Sequence, residues 1–122
     1  MSISNYAELK LLEHVTGKTA YTMPTTVYLK LHTGDPGEDC TANAAANTSR
    51  QSSAWASAAS GSIATSATIS WTNVSTTETY SHWSMWDNST AGNPLWSGAL
   101  SSSAAVTAGD TFQITALTLS LD

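Results

Sequence analysis

Basic residues are scarce in this chain. Lys10, Lys18, Lys30 and Arg50 stand against nine Asp and Glu, giving a formal charge of −5 over 122 residues. So few cations cannot neutralise a phosphate backbone, which argues against a nucleic-acid partner. Cysteine is present once, as Cys40, so no intrachain disulfide can form, and beside Asp39 and Thr41 the thiol reads as a spectator. No window approaches the roughly 18 apolar residues of a membrane span. The start, Met1 to Tyr6, has neither the basic region nor the apolar run of a signal peptide, so a soluble product made in a cytosol is expected. HExxH, CxxC, GxSxG and glycine-rich phosphate loops are missing too, and His14, His32 and His82 are scattered. The reading is therefore no enzyme, no catalytic residues and no cofactor.

What is present is small and hydroxylated. Ser, Thr and Ala make up 56 of the 122 residues. Such side chains lose little rotamer entropy on contact, which suits a surface covered by neighbours.

The least ambiguous stretch is Val27-Tyr28-Leu29-Lys30-Leu31-His32 followed by Thr33-Gly34-Asp35-Pro36-Gly37. Period-two alternation places Val27, Leu29 and Leu31 on one face of a strand and Tyr28, Lys30 and His32 on the other. Gly34, Asp35, Pro36 and Gly37 then make a sharp turn. Upstream, Asn5 and Glu8 fit a capping box. Leu9, Leu12 and Val15, widened by Ala7 and Leu11, recur at helical spacing as far as Gly17. A helix this short must dock on its own sandwich or on a neighbouring subunit.

Downstream, strands are expected over residues 50–56, 63–73, 80–87, 95–100 and 110–121, with loops at 38–48, 57–62, 88–94 and 101–105. Alternation slips at Ala116-Leu117, the mark of a β-bulge or of two strands joined by a kink. Seven or eight short strands with regular turn signals give an all-β fold: a jelly-roll-like antiparallel β-sandwich with a short N-terminal α-helix. Residues 1–24 form the helix and connector, and residues 25–122 the sandwich.

Two constellations invite a chemical reading. Asp35, Glu38 and Asp39 share one loop but lack the regular ligand spacing of a calcium loop, so a solvated acidic turn is preferred and no metal site is expected. The five tryptophans are the stronger signal. On the strand at residues 80–87, Trp83 and Met85 share one face while Tyr80, His82 and Trp86 share the other, so Trp83 and Trp86 cannot both enter one core. An outward Trp marks a protein interface or a sugar-stacking platform. A hydrolase built on His82 and Asp87 is the weakest reading.

The order of several motifs carries a resemblance. Leu31-His32-Thr33-Gly34-Asp35-Pro36-Gly37 is followed by Arg50-Gln51, by Tyr80 to Asp87, by Leu95-Trp96-Ser97-Gly98-Ala99-Leu100, and by Val106 to Phe112. In this order the chain resembles small tailed-phage virion proteins of the tail-fibre-like and capsid decoration (cement) family. The resemblance covers most of residues 25–122. It implies a jelly-roll-like fold, a homotrimer, and a place in the virion after synthesis in the host cytoplasm.

With no stalk repeats or receptor-binding extension in the chain, the leading expectation is a decoration protein on the outer capsid surface. Its partner would be the major capsid protein, with no nucleic acid or membrane involved. Asn5, Leu9 and Leu12 on the helix, Asp35, Pro36, Glu38 and Asp39 in the loop, and Trp86 and Trp96 are the expected contacts. The alternative is a tail or fibre module that recognises a host glycan through Trp86 or Trp96.

Overall fold

The computed structural model describes residues 1–121 and is an antiparallel β-protein with one helix. Its elements in chain order are β1 (Ser2–Ile3), α1 (Asn5–Val15), β2 (Val27–His32), β3 (Gln51–Ser53), β4 (Ser62–Ala64), β5 (Ile69–Trp71), β6 (Glu78–Trp86), β7 (Pro94–Val106), β8 (Phe112–Ile114) and β9 (Thr118–Ser120). The main sheet has the order β1-β7-β6-β2-β3, and two ribbons, β4-β9 and β5-β8, accompany it. This is the all-β sandwich that the alternation implies, and among the described residues no helix is long and apolar enough to cross a membrane.

β2 is central. Leu29 pairs with Gln51 on one side and Met85 on the other, and Leu29 and Leu31 are fully buried. With Trp71, Tyr80, Trp83, Met85 and Ile114 they form the core. Gly98 sits opposite Trp83 across β6 and β7 because a Cβ there would lie 2.7 Å from the indole Cζ2. The sheet backbone must come that close to its largest core side chain.

Several boundaries differ from the sequence reading. Residues 101–105, expected to be a loop, lie inside β7, because Glu78 and Thr79 of β6 provide ladder partners in Val106 and Ala105. The single strand expected at 63–73 divides into β4 and β5. The slip at Ala116-Leu117 is a change of partner: β8 pairs with β5 and β9 with β4. Tyr80 lies in the core with Trp83 instead of on the face of His82, since a register shift between Tyr80 and His82 breaks the alternation.

The helix spans the expected residues, but Ser4 caps it, not Asn5. Ser4 Oγ accepts from the Ala7 N–H at 3.1 Å and donates to the Pro94 carbonyl at 2.6 Å, while the Ser4 N–H donates to Leu95 O at 3.0 Å. One buried serine thus starts the helix and fastens it to β7.

His32 lies on the face opposite Leu29 and Leu31, as the alternation places it, and that face is covered too: His32 is fully buried. The loop after β2 folds back over it. The Ala45 N–H donates to Leu31 O, the Thr33 N–H donates to Asn43 O, and Pro36, Cys40, Ala45 and Asn47 are buried beneath.

Candidate assembly surface

Ser4 fixes which side of α1 meets the sheet. Tyr6 and Ala7 turn toward the core, while Leu9, Leu12 and Val15 remain 64, 63 and 74 % exposed. Every residue of this apolar stripe lies on the outside of the helix. Beside the inner helix face runs an apolar groove of about 290 Å³, lined by Ile3, Ala7, Leu11, Tyr21, Pro24, Val27, Leu95, Trp96 and Leu121. A second groove of about 220 Å³, lined by Ala58, Gly61, Ser62, Ile63, Trp96, Leu119, Ser120 and Leu121, meets the first at Trp96 and Leu121. Trp96 is half-buried, and its indole N–H has no acceptor among the described residues. The two grooves make one apolar band, with a tryptophan where they meet. Burial of such a band is the physical basis of association, and an indole at its middle is the usual anchor.

Trp86 lies elsewhere and is not the exposed plane expected of it. It is 7 % exposed, on the face of the main sheet opposite the core. The Arg50 guanidinium lies 4.1 Å from the ring centroid and the Lys30 ammonium 5.9 Å from it. Arg50 is held in place by donating from Nη1 to Asn88 O at 2.8 Å and Ala91 O at 2.7 Å. Burial is the main cause that lowers the pKa of both cations, and for Lys30 the charge of Arg50 adds to it. A ring covered in this way offers no face for a sugar.

Beneath Trp86 runs a buried polar chain that the sequence reading missed. Trp86 Nε1 donates to Ser84 Oγ at 2.8 Å, Ser84 Oγ lies 2.7 Å from His32 Nε2, and His32 Nδ1 lies 2.9 Å from Ala42 O. The carbonyl can only accept, so His32 carries its proton on Nδ1 and Nε2 accepts from Ser84. Burial lowers the His32 pKa, with Lys30 and His82 acting in the same direction and the carbonyls of Ala42 and Asn43 opposing. The resulting Ser–His pair resembles part of a hydrolase, but both residues are fully buried and no substrate can reach them. The alternation of β2 and β6 would have placed His32, Ser84 and Trp86 on one face. Burial of that face depends on the loop and on Arg50, which no local pattern reveals.

The acidic turn is internally engaged. Asp35 Oδ1 accepts from the Gly37 N–H at 2.9 Å, and Asp39 Oδ1 accepts from Thr41 Oγ1 at 2.8 Å. The Thr41 hydrogen bonds lower the Asp39 pKa. Pro36 is buried under the turn, while Glu38 is exposed and accepts from Ser2 Oγ. Among the described residues no cluster of three His, Cys, Asp or Glu is placed to hold a metal ion. Burial raises the Cys40 thiol to about 11, so it stays protonated beneath the turn. His82 is bonded to Ser81, and both oxygens of Asp87 accept from Asn93, so the two do not form a pair.

The structure therefore gathers Trp96 into an apolar band near α1 and keeps Asp35, Pro36, Glu38 and Asp39 in a separate turn. Asn5, Leu9 and Leu12 sit on the helix, and Trp86 lies under Arg50. The family model described as "Podophage GP4 fiber I protein gp80" matches residues 2–122 of the chain. A search of curated proteins found no match.

Proposed function

The chain belongs to the podophage GP4 fiber I protein gp80 family, which makes it a phage fibre-type virion structural protein, and from that premise we propose that it serves as a subunit of the virion's fibre apparatus, assembled through the apolar band around Trp96. The observation that carries this reading is the band itself: two apolar grooves joined at Trp96 and Leu121. A stable protein interface buries on the order of 1,600 Å² in total, with an aromatic anchor near its centre. The band supplies the anchor and the apolar lining. Its small Ser, Thr and Ala surroundings lose little entropy when covered. A homotrimer with the band at its subunit boundaries is the assembly we assign.

A second reading, a capsid decoration protein bound to the major capsid protein, is favoured by the separate stripe Leu9, Leu12 and Val15. A subunit with two distinct apolar surfaces can bridge two neighbours, and binding only to the expanded shell would stabilise that state by mass action. Recognition of a host glycan through Trp86 loses its support, because that ring is covered by Arg50.

Gold labelling of purified virions with antibody against this chain tests both placements. Label on tail appendages supports the fibre reading, and label spread over the outer capsid surface supports decoration. Particles carrying no label would overturn both.

A further inference from the structure

Cations are rare in this chain, and half of them sit together. Of the four Lys and Arg in a protein of net charge −5, Lys30 and Arg50 lie over the same indole ring, that of Trp86. The strand register brings them there. Val27 pairs with Ser53, Tyr28 with Ser52 and Leu29 with Gln51, so the next step along β2 and β3 sets Lys30 opposite Arg50. Like charges directly opposite one another across two strands destabilise a sheet. This pair is nevertheless held in place: Arg50 stacks 4.1 Å from the Trp86 centroid and is anchored to two carbonyls of the turn after β6.

Among the described residues no carboxylate settles this charge. Asp87 is the acid whose field reaches Arg50, yet both of its oxygens accept from Asn93. Burial and the charge of Arg50 lower the Lys30 pKa, and no acid acts against them. Arg50 Nη1 uses both of its hydrogens on Asn88 O and Ala91 O, which leaves the Nε–Nη2 edge of the guanidinium without an acceptor among the described residues. Lys30 Nζ has none there either. Neither group is one of the unpartnered nitrogens shut off from solvent, so the free guanidinium edge and the ammonium are both reachable from outside. That edge presents two parallel N–H groups, the fork that takes both oxygens of a carboxylate.

We infer that Lys30 and Arg50 form a carboxylate-binding site, with the Nε–Nη2 edge of Arg50 bidentate to the two oxygens and Lys30 as the second charge. Trp86 and the two carbonyls already hold the guanidinium plane, so little side-chain entropy is left to lose when the anion arrives. The bound anion also offsets the repulsion between the two cations. One fork and one ammonium suit a single carboxylate, whereas a phosphate polymer needs a longer run of cations than four. The group comes from a free small acid or from an Asp or Glu side chain of a second copy of this chain, which carries nine of them. The site shares no residue with the apolar band, so the inference stands apart from the assembly reading.

The test follows the Arg50 Nε–H and Trp86 indole resonances in ¹H–¹⁵N spectra of the intact protein at constant ionic strength. Titrants are acetate and succinate, with chloride and sulfate as controls of matching charge. A saturable shift is expected with both acids, and binding several-fold weaker with the control of the same charge. Arg50→Lys keeps the charge but removes the fork, and Lys30→Gln removes the second charge. Each should weaken binding several-fold, read from the Trp86 indole. Sedimentation velocity at rising protein concentration then separates the two sources. Self-association that both acetate and Lys30→Gln reverse assigns the carboxylate to a second copy. Acetate binding with no acetate-dependent change in sedimentation assigns it to a free acid. No saturable shift with either acid, or chloride and sulfate binding as tightly, overturns the inference. So does acetate binding that Arg50→Lys and Lys30→Gln together leave intact.

Discussion

The two faces of the main sheet are both buried, but by different means. The inner face, with Leu29, Leu31, Trp83 and Met85, is closed by the rest of the sandwich and held by apolar contact. The outer face, with His32, Ser84 and Trp86, is closed by a folded-back loop and by Arg50, and its groups are joined by directed hydrogen bonds. Apolar burial is non-directional and depends on volume, whereas a buried polar chain depends on each donor finding its acceptor. The inner face should therefore respond to changes of size, and the outer face to changes of proton or charge.

The largest effect is expected from Leu31→Ala, which empties volume in the core and should cost about 2–5 kcal/mol in urea unfolding. A loss no greater than that of an exposed-site control would contradict the assignment of Leu31 to the core. Gly98→Ala comes next. The new methyl meets the Trp83 ring, and overpacking of this kind costs about 1–3 kcal/mol. The same denaturation experiment, together with a changed Trp83 fluorescence, would register it.

The outer face should respond to acid. The fold holds the His32 pKa below its ordinary 6.5, chiefly through burial. The unfolded chain therefore takes up the proton first, so His32's contribution is fully present above pH 6.5 and is lost as pH falls below it, until the folded-state pKa is reached. Stability measured across this window should fall more steeply in the wild-type protein than in His32→Gln. Identical slopes would remove His32 from the account. The smallest effect is expected from Arg50→Ala, which uncovers Trp86 and should cost about 0.5–2 kcal/mol. Faster fluorescence quenching of Trp86 by iodide would accompany it.

The same contrast explains how much of the molecule was legible in the sequence. Leu29 and Leu31 announced the inner face because burial on one side of a strand imposes period two, and Asn5–Val15 announced a helix through its spacing. The stripe Leu9, Leu12 and Val15 was read correctly as apolar and helical. Which side of the helix meets the sheet was not legible, because Ser4 decides it through Pro94 and Leu95, some ninety residues away. His32 and Trp86 were assigned the right face of their strands, but their covering depends on the loop and on Arg50, which are distant partners. Tyr80 and residues 101–105 were misplaced because a bulge resets alternation without any local signature in a Ser- and Ala-rich stretch.

The most direct test of the central claim, that this protein joins the virion through the band around Trp96, is incorporation of a double variant. Leu11 and Leu121 line the band and are 38 and 53 % exposed, so Leu11→Asp with Leu121→Asp alters the surface while sparing the core. Phage would be grown with the variant as the sole copy, and purified particles assayed for the protein by mass spectrometry. The account predicts a folded, soluble variant that is missing from the particles. Its presence at wild-type stoichiometry would contradict the claim.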